Sequence, residues 1–169
     1  MSDAIFKYCP MCATPLVENE IEHVRRPVCP QCGFIQYLNP LLVVLVVIRY
    51  MDKLLLSKRN IEPGKGLWNF CGGFVELGET VQEAAMREVK EEANLDVQLE
   101  NLIGIYSGEG DTRVVIAYQA TILDQQMSNL LAQRKEVSEL ALFSWEELPT
   151  LAFPVHQRIL RDWKKLNSH

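Results

Sequence analysis

The chain has no apolar run longer than the eight residues 41–48, whereas a helix that crosses a bilayer needs about 20. No transmembrane helix is expected. The opening residues, MSDAIFKYCP, lack both the basic n-region and the apolar h-region of a secretory signal, which predicts a cytoplasmic protein. There is no basic stripe of the kind that neutralises a nucleic-acid backbone, so duplex nucleic acid is not an expected partner. Internal repeats and low-complexity segments are missing as well. With 48% hydrophobic and 23% charged residues, the chain is neither disordered nor fibrous and can bury a core. Its 169 residues allow one compact domain plus a small appendage.

Charge is unevenly placed. Seventeen basic residues against 22 acidic ones give −5. Residues 76–100 hold eight acids and two bases, so they contribute −6 and leave the rest at +1. Such a local concentration of carboxylates invites a cation.

Four of the five cysteines form two pairs, Cys9-Pro-Met-Cys12 and Cys29-Pro-Gln-Cys32, with sixteen residues between them. This is the C-x2-C…C-x2-C spacing of a tetrahedral zinc site, in which each tight knuckle presents two sulfurs and the intervening chain returns as a hairpin. Disulfides do not fit a chain without a secretory signal, and a redox CxxC does not come as a matched pair. His23, the only histidine between the knuckles, is read as a surface residue because four thiolates fill the shell. Gly33 follows the second knuckle and Ala13 takes the equivalent place in the first. A ribbon of about 40 residues is too small to fold on core burial alone, so the metal must supply that stability.

Tyr37-Leu38-Asn39-Pro40 is a turn signal, and the domain boundary is placed there: a zinc ribbon over residues 1–39 and a second domain over 40–169. Valine-rich residues 41–48 read as a buried strand, with 53–57 as its partner across a polar turn. A Gly/Pro loop over 59–68 leads to a short apolar run and Gly72-Gly73. Thr80-Val81-Gln82-Glu83 is a capping box that opens a helix through Ala93, and Asn94 is a left-handed C-terminal stop. Residues 99–107, 113–122 and 140–144 read as strands, and 124–139 as a loop with or without a short helix. A last helix begins at Pro154. Strands mixed with two helices in this order predict an α/β sandwich around a mixed sheet.

At about 100° per residue, Glu91 and Glu92 lie about −60° and +40° from Glu88, so three carboxylates share one arc of the first helix. Glu88–Glu92 and Glu88–Glu91 are each unfavourable by roughly 0.2–0.5 kcal/mol, and no lysine intervenes. Hard divalent cations such as Mg2+ bind carboxylate oxygens and keep waters that a phosphate can replace.

Gly73, five residues, Glu79, seven residues, then Arg87-Glu88-Val89-Lys90-Glu91-Glu92-Ala93-Asn94-Leu95 resembles the Nudix box, G-x5-E-x7-R-E-U-x-E-E-x-G-U, where U is aliphatic. Only the late glycine departs, being Asn94, which tolerates the same left-handed backbone. Residues 59–68 and Phe70-Cys71-Gly72-Gly73 resemble the segment before the box, with Cys71 where proline is usual; it reads as a small buried residue and not as a nucleophile. The ribbon and the Tyr37–Pro40 turn resemble Nudix enzymes that carry such a ribbon, among them NADH pyrophosphatases and ADP-ribose/FAD pyrophosphatases.

The resemblance implies the Nudix α/β/α sandwich and hydrolysis of the pyrophosphate bond in a nucleotide-derived small molecule, with Mg2+ or Mn2+ beside the structural Zn2+. It makes Glu88, Glu91 and Glu92 the metal ligands together with the Gly72 carbonyl. Arg87 and Glu79 would orient loop and helix, a role favoured over a surface pair of Arg87 with Glu83 at i−4. A further glutamate from a late loop would be Glu139 or Glu136. Arg59, followed by Lys65 or Arg113, would contact phosphates. Trp68 and Phe153 could stack on a base but sit in apolar surroundings. Residues 96–120 lack the S-Q-P-W-P-F-P-x-S motif typical of NADH pyrophosphatases, while Leu151-Ala152-Phe153 is familiar from the ADP-ribose/FAD group. ADP-ribose or FAD is therefore the expected substrate, with NADH and a noncatalytic nucleotide-sensing regulator as the alternatives. A homodimer is compatible with this reading.

Overall fold

The computed structural model describes residues 6–108, 111–122, 129–132 and 135–167. The chain divides into two compact units, Met1–Asn39 and Pro40–His169.

In the first unit, β1 (Val17–Ile21) and β2 (Val24–Val28) form an antiparallel hairpin with Ile21 opposite Val24. The two-residue turn Glu22-His23 has positive φ at both positions, the primed geometry whose twist suits a hairpin. His23 thus sits at an exposed tip, 3.7 Å from Glu20, as expected for a surface residue. The two knuckles repeat one geometry. Cys9 N–H donates to the Thr14 carbonyl and Ala13 N–H to that of Cys9, both at 2.8 Å; Cys29 and Gly33 do the same at 2.8 and 3.0 Å. Ala13 and Gly33 both take positive φ, so alanine makes the turn that glycine makes more easily.

The second unit is a seven-stranded mixed sheet between two helices, the α/β/α sandwich expected. Its strands are β3 (Leu41–Tyr50), β4 (Lys53–Arg59), β5 (Trp68–Asn69), β6 (Cys71–Phe74), β7 (Val97–Tyr106), β8 (Arg113–Ile122) and β9 (Val137–Ser144); its helices are α1 (Val81–Ala93) and α2 (Pro154–Leu166). The main order is β5-β4-β3-β8-β7, with β6 also on β3 and β9 on β4. Among the described strand pairs of this sheet, β3–β8 is the parallel one.

Alternation along β3 explains the layers. Val44, Val46 and Ile48 face one core with Ala84, Ala85, Val89 and Ala93 of α1. Leu45 and Val47 face the other with Ile159 and Leu160 of α2. A strand buried on both faces reads as an unbroken apolar run because each parity has its own helix to cover it. The pairing of β3 with β4 covers only Ile48–Tyr50 against Lys53–Leu55. Beyond it β6 takes over β3 at Val43–Val46 while β5 takes Ser57 and Lys58 of β4. The two central strands part there, and residues on either side of the gap, among them Val43, Leu45, Ser57 and Arg59, line a cleft.

Strand ends differ from the sequence pattern. β7 begins at Val97, two residues before the expected start, and β9 at Val137, three residues early. Glu139 therefore stands inside a strand and not in a loop. Of the polar stretch 124–139, residues 124–128 and 133–134 lie outside the described residues.

Candidate functional site

Helix α1 carries the acidic face, and both of its ends are built as the sequence suggests. Thr80 Oγ1 accepts from Glu83 N–H at 3.1 Å, and the Glu83 carboxylate accepts from Thr80 N–H at 2.7 Å. At the other end Asn94 is left-handed (φ 56°), donates its N–H to the Lys90 carbonyl and its side-chain amide to the Asn129 carbonyl. Asn94 thus meets the backbone requirement that glycine usually meets.

The Gly72-Gly73 pair lets the helix approach the sheet. Gly72 (φ +149°) lies so close to β3 that a Cβ would overlap the Val44 carbonyl oxygen, and a Cβ on Gly73 would fall 2.5 Å from Glu88 Oε1. Glu88 can pack against this backbone only because Gly73 has no side chain, while the bare Gly72 lets β6 lie close to β3. Gly72 N–H donates to Glu92 Oε2 at 3.3 Å.

Arg87 ties loop to helix. Its Nε and Nη2 donate to the two Glu79 oxygens at 3.0 and 2.8 Å, its Nη1 to Glu88 and Glu91 at 2.9 and 3.1 Å, and its Nη2 also to the Phe74 carbonyl at 3.0 Å. The alternative Glu83 partnership is not taken up, since Glu83 is engaged in the capping box. The Arg87 hydrogen bonds hold Glu79 down at about 2. Glu79 in turn raises the Arg87 pKa.

Glu88, Glu91, Glu92 and Arg87 line a cleft of about 1000 Å³. Gly72, Arg59, Arg113, Lys135 and Glu136 line it too, as do Phe153, His156 and Arg158. Burial, and next the Glu88 charge, pushes Glu92 up to about 8. Burial also raises Glu88. Carboxylates held above their ordinary range by burial and by each other form a donor set that a divalent cation would relieve; this set fits such an ion. Cys71 is wholly buried beside Glu92 and Ser57, and burial drives its thiol pKa well up, as suits an inert packing residue.

The two late glutamates separate clearly. Glu136 lines the cleft and its charge acts on both Glu88 and Glu92. Glu139 pairs with Lys58 at 3.1 Å across the β4–β9 ladder. Among the phosphate-contact candidates, Arg59 lies over the Phe153 ring at 5.1 Å and donates to the Pro63 carbonyl; Lys65 is not among the lining residues. Trp68 packs edge-on against Phe143 at 4.7 Å. His156 and Asn69 escaped sequence reasoning, since neither stands in a motif and only the tertiary fold brings them to the cleft.

In the ribbon, the Cys9–Cys32, Cys12–Cys29 and Cys12–Cys32 sulfurs lie 3.5, 3.5 and 3.6 Å apart. All four lie within 4.8 Å of one another, and among the described residues they form the one such group. A tetrahedral zinc with Zn–S bonds near 2.3 Å spaces its sulfurs about 3.8 Å apart, so the cluster fits zinc.

Comparison with known proteins adds to this geometry. Residues 39–163 match the model of the NUDIX domain, and residues 7–38 the zinc-ribbon model described as Nudix N-terminal. Over 130 residues the chain is 39% identical to an ADP-ribose pyrophosphatase of Methanocaldococcus jannaschii, covering 76% of each chain. Over 157 residues it is 31% identical to the NAD-capped RNA hydrolase NudC of Pseudomonas aeruginosa, covering 92% of this chain and 53% of that one. It thus spans about half the length of the NudC relatives. A solved NUDIX hydrolase from Nitrosomonas europaea superposes with a TM-score of 0.86 at 31% identity, over 96% of this chain and 93% of that one. No described helix is long and apolar enough to cross a membrane.

Proposed function

The chain belongs to the NUDIX family of hydrolases, with that family's N-terminal zinc ribbon, and from this premise we propose that it cleaves the pyrophosphate of a nucleoside diphosphate joined to a second group, ADP-ribose or FAD ahead of NADH. The observation that carries this reading is the cleft of about 1000 Å³ with the α1 carboxylates on one side and Arg59, Arg113 and Arg158 among its other lining residues. Its volume is at the upper end of the range for small-molecule sites, about 300–1,000 Å³, which suits a two-part nucleotide.

Glu88, Glu91 and Glu92, with the Gly72 carbonyl, would hold Mg2+ or Mn2+. When bound, such an ion polarises a phosphoryl oxygen and lowers the pKa of water. The chain's own groups do the rest. Arg87 fixes Glu79, Glu88 and Glu91 relative to the Phe74 carbonyl, so the loop and the helix keep one geometry. Arg59 and Arg113 face the phosphate charges. Of the two late glutamates, Glu136 takes the role of base or extra ligand, because it lines the cleft while Glu139 is held by Lys58. Water attacks one phosphorus and the bond to the bridging oxygen breaks, so ADP-ribose plus water yields AMP and ribose 5-phosphate.

ADP-ribose is placed before NADH because the relative of that name matches at the higher identity and because residues 96–120 lack the NADH-type motif. The NudC likeness over 92% of this chain supports NADH as the second reading. A panel of ADP-ribose, FAD, NADH, ADP-glucose, diadenosine polyphosphates and NTPs with Mg2+ or Mn2+ should give the highest kcat/KM on ADP-ribose or FAD. Preferential consumption of NADH would reverse the ranking, and hydrolysis of none of the panel would sink the pyrophosphohydrolase assignment.

Arg87→Lys tests the tie. Lysine keeps the charge but cannot bridge both Glu79 oxygens while reaching Glu88 and Glu91. The expected loss is about 10- to 100-fold in kcat, the usual effect of removing a partner that orients metal ligands, with little change in KM. Parent-level kcat in the lysine variant would show that the guanidinium fork orients nothing that matters.

A further inference from the structure

We propose that Arg158, with Arg113 beside it, forms a second anion subsite on the α2 side of the cleft and selects substrates that carry a phosphate monoester outside the pyrophosphate, on the adjoining ribose. The proposal rests on the reading of this cleft as a nucleoside-diphosphate site.

Strand register places the two arginines. Val43, Val115 and Tyr106 lie side by side across β3, β8 and β7, and all three belong to the α2-side apolar cluster. Arg113 stands two residues before Val115 on β8, so its side chain leaves the sheet on the same face. Arg158, on the second turn of α2, lies over the Tyr106 ring at 5.3 Å, and both arginines line the cleft. With strands about 4.8 Å apart and about 3.4 Å per residue, the Cα atoms of Arg113 and Tyr106 are about 8 Å apart. The α1 carboxylates approach the other face, where Glu88 packs against Gly73 of β6. Strands β6 and β8 flank β3, which puts Arg113 about 10 Å from β6, two strand spacings away. The arginine pair is thus distinct from the carboxylates but within the span of one nucleotide.

The Arg158 platform is fixed by its neighbours. Tyr106 is only 4% exposed and donates its hydroxyl to Asp162 Oδ2 at 3.2 Å. Gly104 makes room for that hydroxyl, since a Cβ there would fall 2.9 Å from its oxygen. A guanidinium lying over a ring keeps its N–H fork available, and the fork matches a phosphate bidentately. Among the described residues neither the Arg158 nor the Arg113 side chain has an ion pair or a hydrogen bond. Asp111 also lines the cleft, yet it forms no ion pair with either. Two neighbouring cations without a counter-charge repel each other, and an anionic group between them relieves both.

The chemistry of that group follows from its position. The pyrophosphate lies beside the α1 carboxylates and the ions they would hold, and a base or an unmodified ribose brings no charge to the α2 side. A phosphate monoester carries about −1.5 to −2 at neutral pH and three acceptor oxygens. Placed on the 2′ or 3′ oxygen of the ribose whose 5′ oxygen bears the pyrophosphate, it stands one sugar away, a separation that two strand spacings minus the reach of an arginine side chain accommodates.

The test compares ADP-ribose with 2′-phospho-ADP-ribose, and dephospho-coenzyme A with coenzyme A, in the parent, in Arg158→Gln and in Arg158→Lys. In at least one pair the phosphorylated member should have a KM about 10- to 100-fold lower, the range of a hydrogen bond to a charged group, with similar kcat. The pair that shows it tells which ribose oxygen bears the phosphate. Arg158→Gln should raise that KM to the level of the unphosphorylated member, and Arg158→Lys, which keeps the charge without the fork, should retain only part of the advantage. Arg158 is exposed, so the melting temperature should stay at the parent value. Calorimetric binding in magnesium-free buffer gives a readout independent of turnover. The matching adenosine bisphosphate should bind the parent about tenfold tighter than AMP, and no tighter than AMP in Arg158→Gln. Equal KM within both pairs, or an undiminished advantage in Arg158→Gln, would overturn the inference and leave the pyrophosphohydrolase reading in place. Bisphosphate binding that is lost in Arg158→Gln, in a protein that hydrolyses nothing on the panel, would support the subsite and sink the hydrolase reading instead.

Discussion

Glu92→Gln should lower kcat on the best nucleotide substrate by about 10³-fold, equivalent to about 4 kcal/mol in the barrier, without loosening the fold. The amide has nearly the shape of the carboxylate, and its oxygen can still accept from Gly72 N–H, now at 3.3 Å. What disappears is a negative charge on the wall where the cation would bind. Stability should move the opposite way. The folded-state pKa of Glu92 is raised from 4.5 to about 8. At pH 4 the group is largely protonated whether the chain is folded or not, and it costs nothing. As pH rises from about 4.5 towards 8, the unfolded chain releases this proton while the folded one retains it, so folding loses stability steadily until the folded pKa is passed. The glutamine variant has no such proton. In magnesium-free buffer its melting temperature should match the parent near pH 4 and exceed it most at pH 9. Parent-level turnover would remove Glu92 from the ligand set; a variant less stable than the parent at pH 9 would show that the carboxylate is not under electrostatic strain.

The parts of this site that were legible in the sequence are those written in local spacing. The capping box, the left-handed stop at Asn94 and the common face of Glu88, Glu91 and Glu92 all lie within fifteen residues, and each follows from helix geometry alone. What sequence spacing could not settle depends on strand register. Glu136 and Glu139 are three residues apart, and which one reaches the cleft is decided by the pairing of β9 with β4, where Lys58 sits opposite Glu139 and the register shifts at Arg59. Arg87 is a similar case. Helical spacing suggested Glu83, but the loop that follows the two glycines brings Glu79 onto the same guanidinium, and its bidentate geometry prevails over a solvent-exposed i,i+4 pair. His156 and Asn69, 87 residues apart, both line the cleft, and no local pattern marks either of them.

Stripping zinc from the ribbon should unfold it while the seven-stranded sheet survives. Among residues 6–39 only Cys9, Pro27, Cys29 and Gln36 are buried, while Tyr8, Met11, Val17, Val24 and Tyr37 remain exposed. A hairpin of two five-residue strands has almost no apolar core, and isolated hairpins are marginal at best in water. The four sulfurs are packed 3.5–3.6 Å apart along three of their edges, an arrangement that thiolates tolerate only around a cation. Structural zinc supplies about 10–16 kcal/mol of apparent binding energy in zinc-finger peptides at neutral pH, far more than this hairpin can provide from burial. The sheet is different in kind, since β3, β4, α1 and α2 bury two apolar clusters that contain none of the four ribbon cysteines. Elemental analysis should find one zinc per chain. After treatment with a thiol-specific zinc-releasing reagent, or in Cys29→Ser, amide protection should vanish across the β1–β2 hairpin and persist in β3 and β8. Zinc-free protein with a protected hairpin would refute the structural role of the metal. Loss of protection in β3 as well would refute independence, because the ribbon would then be part of the same cooperative unit as the sheet.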